Sequence, residues 1–141
     1  MFRKENGVTL VALVITIIVL LILAGVTISM VLGDDGIITN AQTATKNFSQ
    51  SSAAETVGVA CAELSTKYLA DKYDGNTATT PAEVTAGTVA TKATTLLAGD
   101  GEAVESGTGV KVTYTDGSSF FVPLTIANGV ASVTGAASAT N

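Results

Sequence analysis

From Val8 to Leu32 the chain runs VTLVALVITIIVLLILAGVTISMVL without one charged residue or proline. As a helix rising about 1.5 Å per residue, that stretch covers roughly 37 Å. A bilayer's hydrocarbon core is about 30 Å thick. A segment of this kind predicts a membrane-spanning helix. Arg3 and Lys4 precede it, and Asp34 and Asp35 follow. Positive charge is retained on the cytoplasmic side, so these flanks put the amino terminus inside and the rest of the chain outside. A secretory signal fits less well, because its apolar region is about 7 to 15 residues and ends in an Ala-x-Ala type site.

Composition narrows what the remainder can do. Hydrophobic residues make up 47% of the 141-residue chain, but many of them lie in the apolar run. After Leu32 the text turns to Thr, Ala, Gly and Ser, enough for one small domain with a modest core. A net charge of −5 and the scattered placing of Lys46, Lys67, Lys72, Lys92 and Lys111 exclude general nucleic-acid binding, which needs clustered cations. One cysteine, Cys61, cannot form an internal disulfide, and the absence of histidine removes the commonest metal ligand and catalytic base. The chain is therefore expected to be no enzyme and to hold no cofactor. Cys61 reads as a small buried apolar residue.

The junction MFRKENG followed by VTLVALV resembles the class III signal of type IV prepilins: a short basic leader ending in glycine, then an apolar residue, threonine and leucine opening a long helix. The resemblance covers Met1 to Leu32. It implies that Arg3 and Lys4 are the leader's basic residues and that Gly7 is its last residue. It also makes Val8 the first mature residue, methylated after cleavage by a membrane-embedded prepilin peptidase, and Thr9 and Leu10 the adjoining recognition motif. Glycine before the cut lets the substrate backbone approach catalytic carboxylates closely. One departure stands out. The family motif has glutamate at the fifth mature position, where this chain has Ala12. The run ending LILAGVTI, Leu21 to Ile28, is similar to that of Gram-positive pilin-like chains with the same apolar variant.

The resemblance implies a structural subunit, inserted as a single-pass precursor and then extracted by a pilus assembly ATPase machinery into an extracellular helical homo-oligomer. Two other readings remain: a pseudopilin of a type II secretion or competence (DNA-uptake) system, and an uncleaved membrane-tethered binding domain. Gly25 and Ser29, four residues apart, would let helices approach closely.

Downstream, Gly33, Asp34, Asp35 and Gly36 join two flexible residues to two turn formers and predict a hinge. The expected organisation is a leader over 1–7, a membrane and filament-core helix over 8–32, the hinge over 33–36, an amphipathic helix over 37–74 and a globular head over 75–141. Ile37, Ala41, Ala44, Phe48, Val57, Ala60, Cys61, Leu64 and Tyr68 recur at helical spacing, with Thr45, Asn47, Gln50, Glu55, Glu63 and Lys67 on the opposite side. Gly58 weakens this helix, and Asp74-Gly75-Asn76 ends it, with Gly75 as the left-handed terminator.

Thr80-Pro81-Ala82-Glu83 predicts a helix start, with Gly87 and many threonines interrupting the path to Leu97; a polar loop with one helical turn is the competing reading. Asp100, Glu102 and Glu105 lack the EF-hand spacing and read as a solvated acidic loop. From Val110 the period becomes two. Asp116-Gly117 and Asn128-Gly129 then supply turns in a three-stranded antiparallel meander ending at Val133. Pro123 suits an edge or a bulge, and Gly135 to Asn141 reads as a frayed tail. The predicted fold is α+β and type IV pilin-like: a long N-terminal spine helix, apolar then amphipathic, packed on a small C-terminal antiparallel β-sheet.

Overall fold

A computed structural model describes residues 5–75 and 80–140. The chain divides into two compact units, Met1–Thr45 and Lys46–Asn141. Its fold is α+β, with a long N-terminal helical spine whose second part packs on a small antiparallel sheet. In chain order the elements are α1 (Glu5–Leu32), α2 (Ile37–Tyr73), α3 (Ala86–Leu97), β1 (Gly101–Ser106), β2 (Gly109–Tyr114), β3 (Ser119–Ala127), β4 (Val130–Val133) and β5 (Ser138–Ala139).

In the second unit, α2 runs unbroken through Gly58 and buries Ala53, Val57, Ala60, Cys61 and Ser65 at helical spacing. Gly75 takes φ 69° just beyond the helix; Asn76 lies outside the described residues. The strands follow the order β1-β2-β3-β4, all antiparallel, with β5 also pairing β3. Ala103, Val110, Val112, Phe120, Val122, Leu124 and Ala131 form the sheet's buried face. Against them lie the buried residues of α2 and those of α3: Ala86, Val89, Ala90, Ala93 and Leu97. Most of these side chains are small, so helices and sheet can approach closely without leaving voids. Phe120 is the largest fully buried residue, with Tyr114 edge-on at 6.2 Å between ring centroids.

Turn chemistry fixes the register. Asn128 (φ 54°) and Gly129 (φ 78°) both adopt the left-handed conformation that a two-residue type I′ hairpin needs, and Ala127 faces Val130 across it. At the β2–β3 connection, Asp116 Oδ1 accepts from the Ser118 N–H (2.8 Å) and hydroxyl (2.6 Å). These bonds hold the Asp116 carboxyl below the usual carboxylate range.

Several expectations need correction. The helix expected from Pro81 begins instead at Ala86, after an extended stretch that inserts Val84 into the core. Thr85 caps it reciprocally with Thr88: the Thr88 N–H donates to Thr85 Oγ1 (3.2 Å), and the Thr85 N–H to Thr88 Oγ1 (2.9 Å). Burial of Val84 outweighs the local start signal at Thr80. Once begun, α3 is continuous to Leu97 and buries Val89, Ala90, Ala93 and Leu97 against the sheet, with the hydroxyls of Thr91, Thr94 and Thr95 bonded back to carbonyls four residues earlier.

Glu102 and Glu105 belong to strand β1, which makes a meander of four strands rather than three. Pro123 sits within the central strand β3, paired with Gly109 of β2 on one flank. On the other flank the pairing with β5 stops at Phe121 and that with β4 begins at Leu124, so a missing N–H falls between partners. The expected frayed tail is partly ordered: Ser138 and Ala139 pair with Phe121 and Phe120, and Ala137 is buried. Gln50, expected on the polar side, is half-buried and donates through Nε2 to the Ala137 carbonyl. Ile37, Ala41, Ala44 and Phe48 are exposed, so of the expected apolar stripe only the part from Val57 onward is buried against the sheet, joined by Ala53, which the stripe did not include.

Candidate functional site: the apolar N-terminal helix

From Thr9 to Leu32 helix α1 is uncharged, carries large apolar side chains on every side, and has each residue exposed. Seventeen large apolar side chains between Leu10 and Leu32 have 39% to 73% of their surface open. Fully covering one such side chain is worth about 1.5–3 kcal/mol. Together they represent tens of kcal/mol, beside about 5–15 kcal/mol for the whole stability of an ordinary domain. Water cannot be the working surroundings of this helix. By length and composition, it is able to cross a membrane.

The hydroxyls within it are placed for apolar surroundings. Thr16 Oγ1 donates to the Leu13 carbonyl at 2.8 Å, and Thr27 Oγ1 lies 3.0 Å from the carbonyls of both Leu23 and Ala24. A polar group that finds its partner on its own helix can enter lipid or a helix bundle without an unsatisfied bond. These threonines were not singled out from sequence, although hydroxyls inside an uncharged apolar run were the available signal.

Gly7 and Val8 lie near the start of α1, whose first turn is already formed at Glu5. The helix thus begins ahead of the Gly7–Val8 junction, which lies in its first turn, where amide N–H groups lack intrahelical partners. Thr9 and Leu10 continue the same helix, and Leu10 is exposed. Arg3 and Lys4 lie outside the described residues. Ala12 is exposed on the rod, and the sequence between Val8 and Leu32 holds no carboxylate. At Gly25 a Cβ would meet nothing within 4 Å, so that side of the helix is open to close approach.

Gly33, Asp34, Asp35 and Gly36 form a compact turn between α1 and α2. The Gly33 N–H donates to the Ser29 carbonyl (2.9 Å) and the Gly36 N–H to the Gly33 carbonyl (2.7 Å), after which Asn40 N–H resumes helical bonding to Gly36 (3.0 Å). A Cβ on Gly33 would come within 2.7 Å of the Ser29 carbonyl oxygen, and one on Gly36 equally close to that of Gly33. Both positions need glycine because the backbone folds onto itself. Asp34 and Asp35 face solvent.

In the head, Cys61 is buried, which pushes its thiol above the ordinary range and disfavours the thiolate. Among the described residues, no group of three or more His, Cys, Asp or Glu is placed to hold a metal ion. Compared with protein-family models, curated proteins and solved structures, the chain has no match in any of the three.

Proposed function

We propose that this chain is the precursor of a structural subunit of a type IV pilus-like extracellular filament. The observation that carries the reading is an apolar helix whose residues are all exposed from Thr9 to Leu32, and the sequence ahead of it, with Arg3, Lys4 and Gly7, supports reading a short basic leader there. Such a helix needs cover from something other than its own chain. In the proposed sequence, lipid provides that cover first. A prepilin peptidase cuts after Gly7 and methylates Val8, and an assembly ATPase then transfers the helix to the interior of a polymer of identical subunits. The role is structural, not catalytic.

Transfer from lipid to a bundle gains little from water exclusion, because lipid is already apolar. Helix packing and the motor supply the work. Since Ala12 offers no carboxylate, close packing around positions such as Gly25 sets the stagger between neighbours. The turn at Gly33 to Gly36 serves as the hinge, and the heads form the polymer's acidic, hydrated outside.

Mass spectrometry of purified extracellular material tests this directly. The expected product begins at methylated Val8; Gly7→Ala is still processed, whereas the bulkier Gly7→Val is not. Functional material that begins at Met1 would identify a membrane tether. A processed chain that remains a minor species, needed only for secretion or DNA uptake, would identify a pseudopilin.

A further inference from the structure

A small sheet has two edges, and each is a row of backbone groups on which another strand can pair. In the head the order β1-β2-β3-β4 places β1 and β4 at the ends. Both are short, and both are met at mid-strand by a hydroxyl from a helix. On β1, the Ala103 N–H donates to Thr94 Oγ1 of α3 at 2.9 Å, and Thr94 Oγ1 lies 3.0 Å from the Ala103 carbonyl. On β4, the Ala131 N–H donates to Ser65 Oγ of α2 at 2.9 Å, and Ser65 Oγ lies 3.4 Å from the Ala131 carbonyl.

The two contacts are the same device. In an antiparallel strand the N–H and C=O of one residue point to the same side, and successive residues alternate. Ala103 pairs with Val112 and Ala131 with Ile126, but the N–H and C=O of each turn away from that neighbour, towards the free edge. One hydroxyl, able to donate and to accept, then occupies both the donor and the acceptor that this mid-strand residue would offer an incoming strand. The Thr94 proton has a second acceptor in the Ala90 carbonyl at 3.1 Å, which fixes the rotamer on α3. Ser65 is buried, and a hydroxyl without partners would be costly there.

We propose that Thr94 and Ser65 are edge seals, which close both ends of the sheet against strand addition by a second copy of this chain. Neither hydroxyl is needed for helix formation, since α2 and α3 contain other threonines and serines that bond only within their helix, Thr66 and Thr91 among them. The seals become important wherever heads are crowded. They direct association to α1 and away from the sheet edges, and they hold irrespective of the kind of assembly that α1 enters.

The test is amide hydrogen exchange on the full chain in detergent micelles, measured dilute and again with heads concentrated to the millimolar range. In Ser65→Ala the Ala131 amide, and in Thr94→Val the Ala103 amide, exchanges about tenfold faster when dilute, the scale of one lost hydrogen bond. Concentration slows it again, as a second copy fills the opened edge. Thr94→Ser and Thr91→Val keep the wild-type rate. Protection of the Val112 amide reports whether Thr94→Val still folds; if it does not, Ser65→Ala, which removes a single oxygen, decides the matter. Unchanged exchange in the folded variants, or faster exchange that concentration does not slow, would overturn the proposal.

Discussion

Between Leu10 and Leu32 the rod carries large apolar side chains on every face and buries none of them, whereas the head keeps a core of mostly alanine and valine beneath a sheet of short strands. The rod's folded state needs little from tertiary contacts, because a helix satisfies its own backbone, but its surroundings must be apolar. The head is the reverse. It tolerates water on its outside and depends on close fit inside, around Phe120, Val57, Val110 and Val112. A substitution that harms one unit should therefore leave the other intact, which makes the contrast easy to test.

The largest effect is expected at Phe120. Replacing the head's largest fully buried residue by alanine should cost about 3–5 kcal/mol. Thermal unfolding followed by near-ultraviolet dichroism should show the head destabilised, while α1 still inserts into membranes. Next, and on the other unit, Ile18→Asp puts an ionised group in the middle of α1, at about 2.5–3.5 kcal/mol on insertion scales. Membrane fractionation should find less inserted chain, with the head's melting temperature unchanged. If either variant damages both units, the comparison fails.

Much of this contrast is legible in the sequence, and the reason differs by region. The rod is plain because an uncharged run from Val8 to Leu32 admits few alternatives. The hairpin at Asn128-Gly129 is plain too, since few residue pairs accept two positive φ values. Strand β1 is obscured because it buries little more than Ala103, leaving Glu102, Val104 and Glu105 open to solvent, so its alternation has almost no hydrophobic contrast. The start of α3 is misread for another reason. Thr80-Pro81-Ala82-Glu83 is a good local signal, but burial of Val84 overrides it. Thr94 and Ser65 are invisible from sequence, because a hydroxyl that seals an edge looks the same as one on a helix surface until the sheet is in place.

Two smaller effects sharpen the account of the head. Gly129→Ala forces a side chain into a left-handed position and against the Tyr68 ring, which lies directly over this turn. A loss of about 1–3 kcal/mol is expected in denaturant unfolding, with no change in membrane insertion. In the other direction, Ala98 ends α3 at φ 52°, where a Cβ is unfavourable. Ala98→Gly should raise the head's stability, by less than about 1 kcal/mol, in the same measurement.

The central claim is that α1 is covered twice, first by lipid and then by other copies of itself. A fluorophore attached at Ile18→Cys in a Cys61→Ala background reports this cover when probed with quenchers dissolved in lipid and in water. In membranes, only the lipid-soluble quencher should reach it; in shed filaments neither should. Quenching from lipid in every functional copy, with no population shielded from both, would contradict the account.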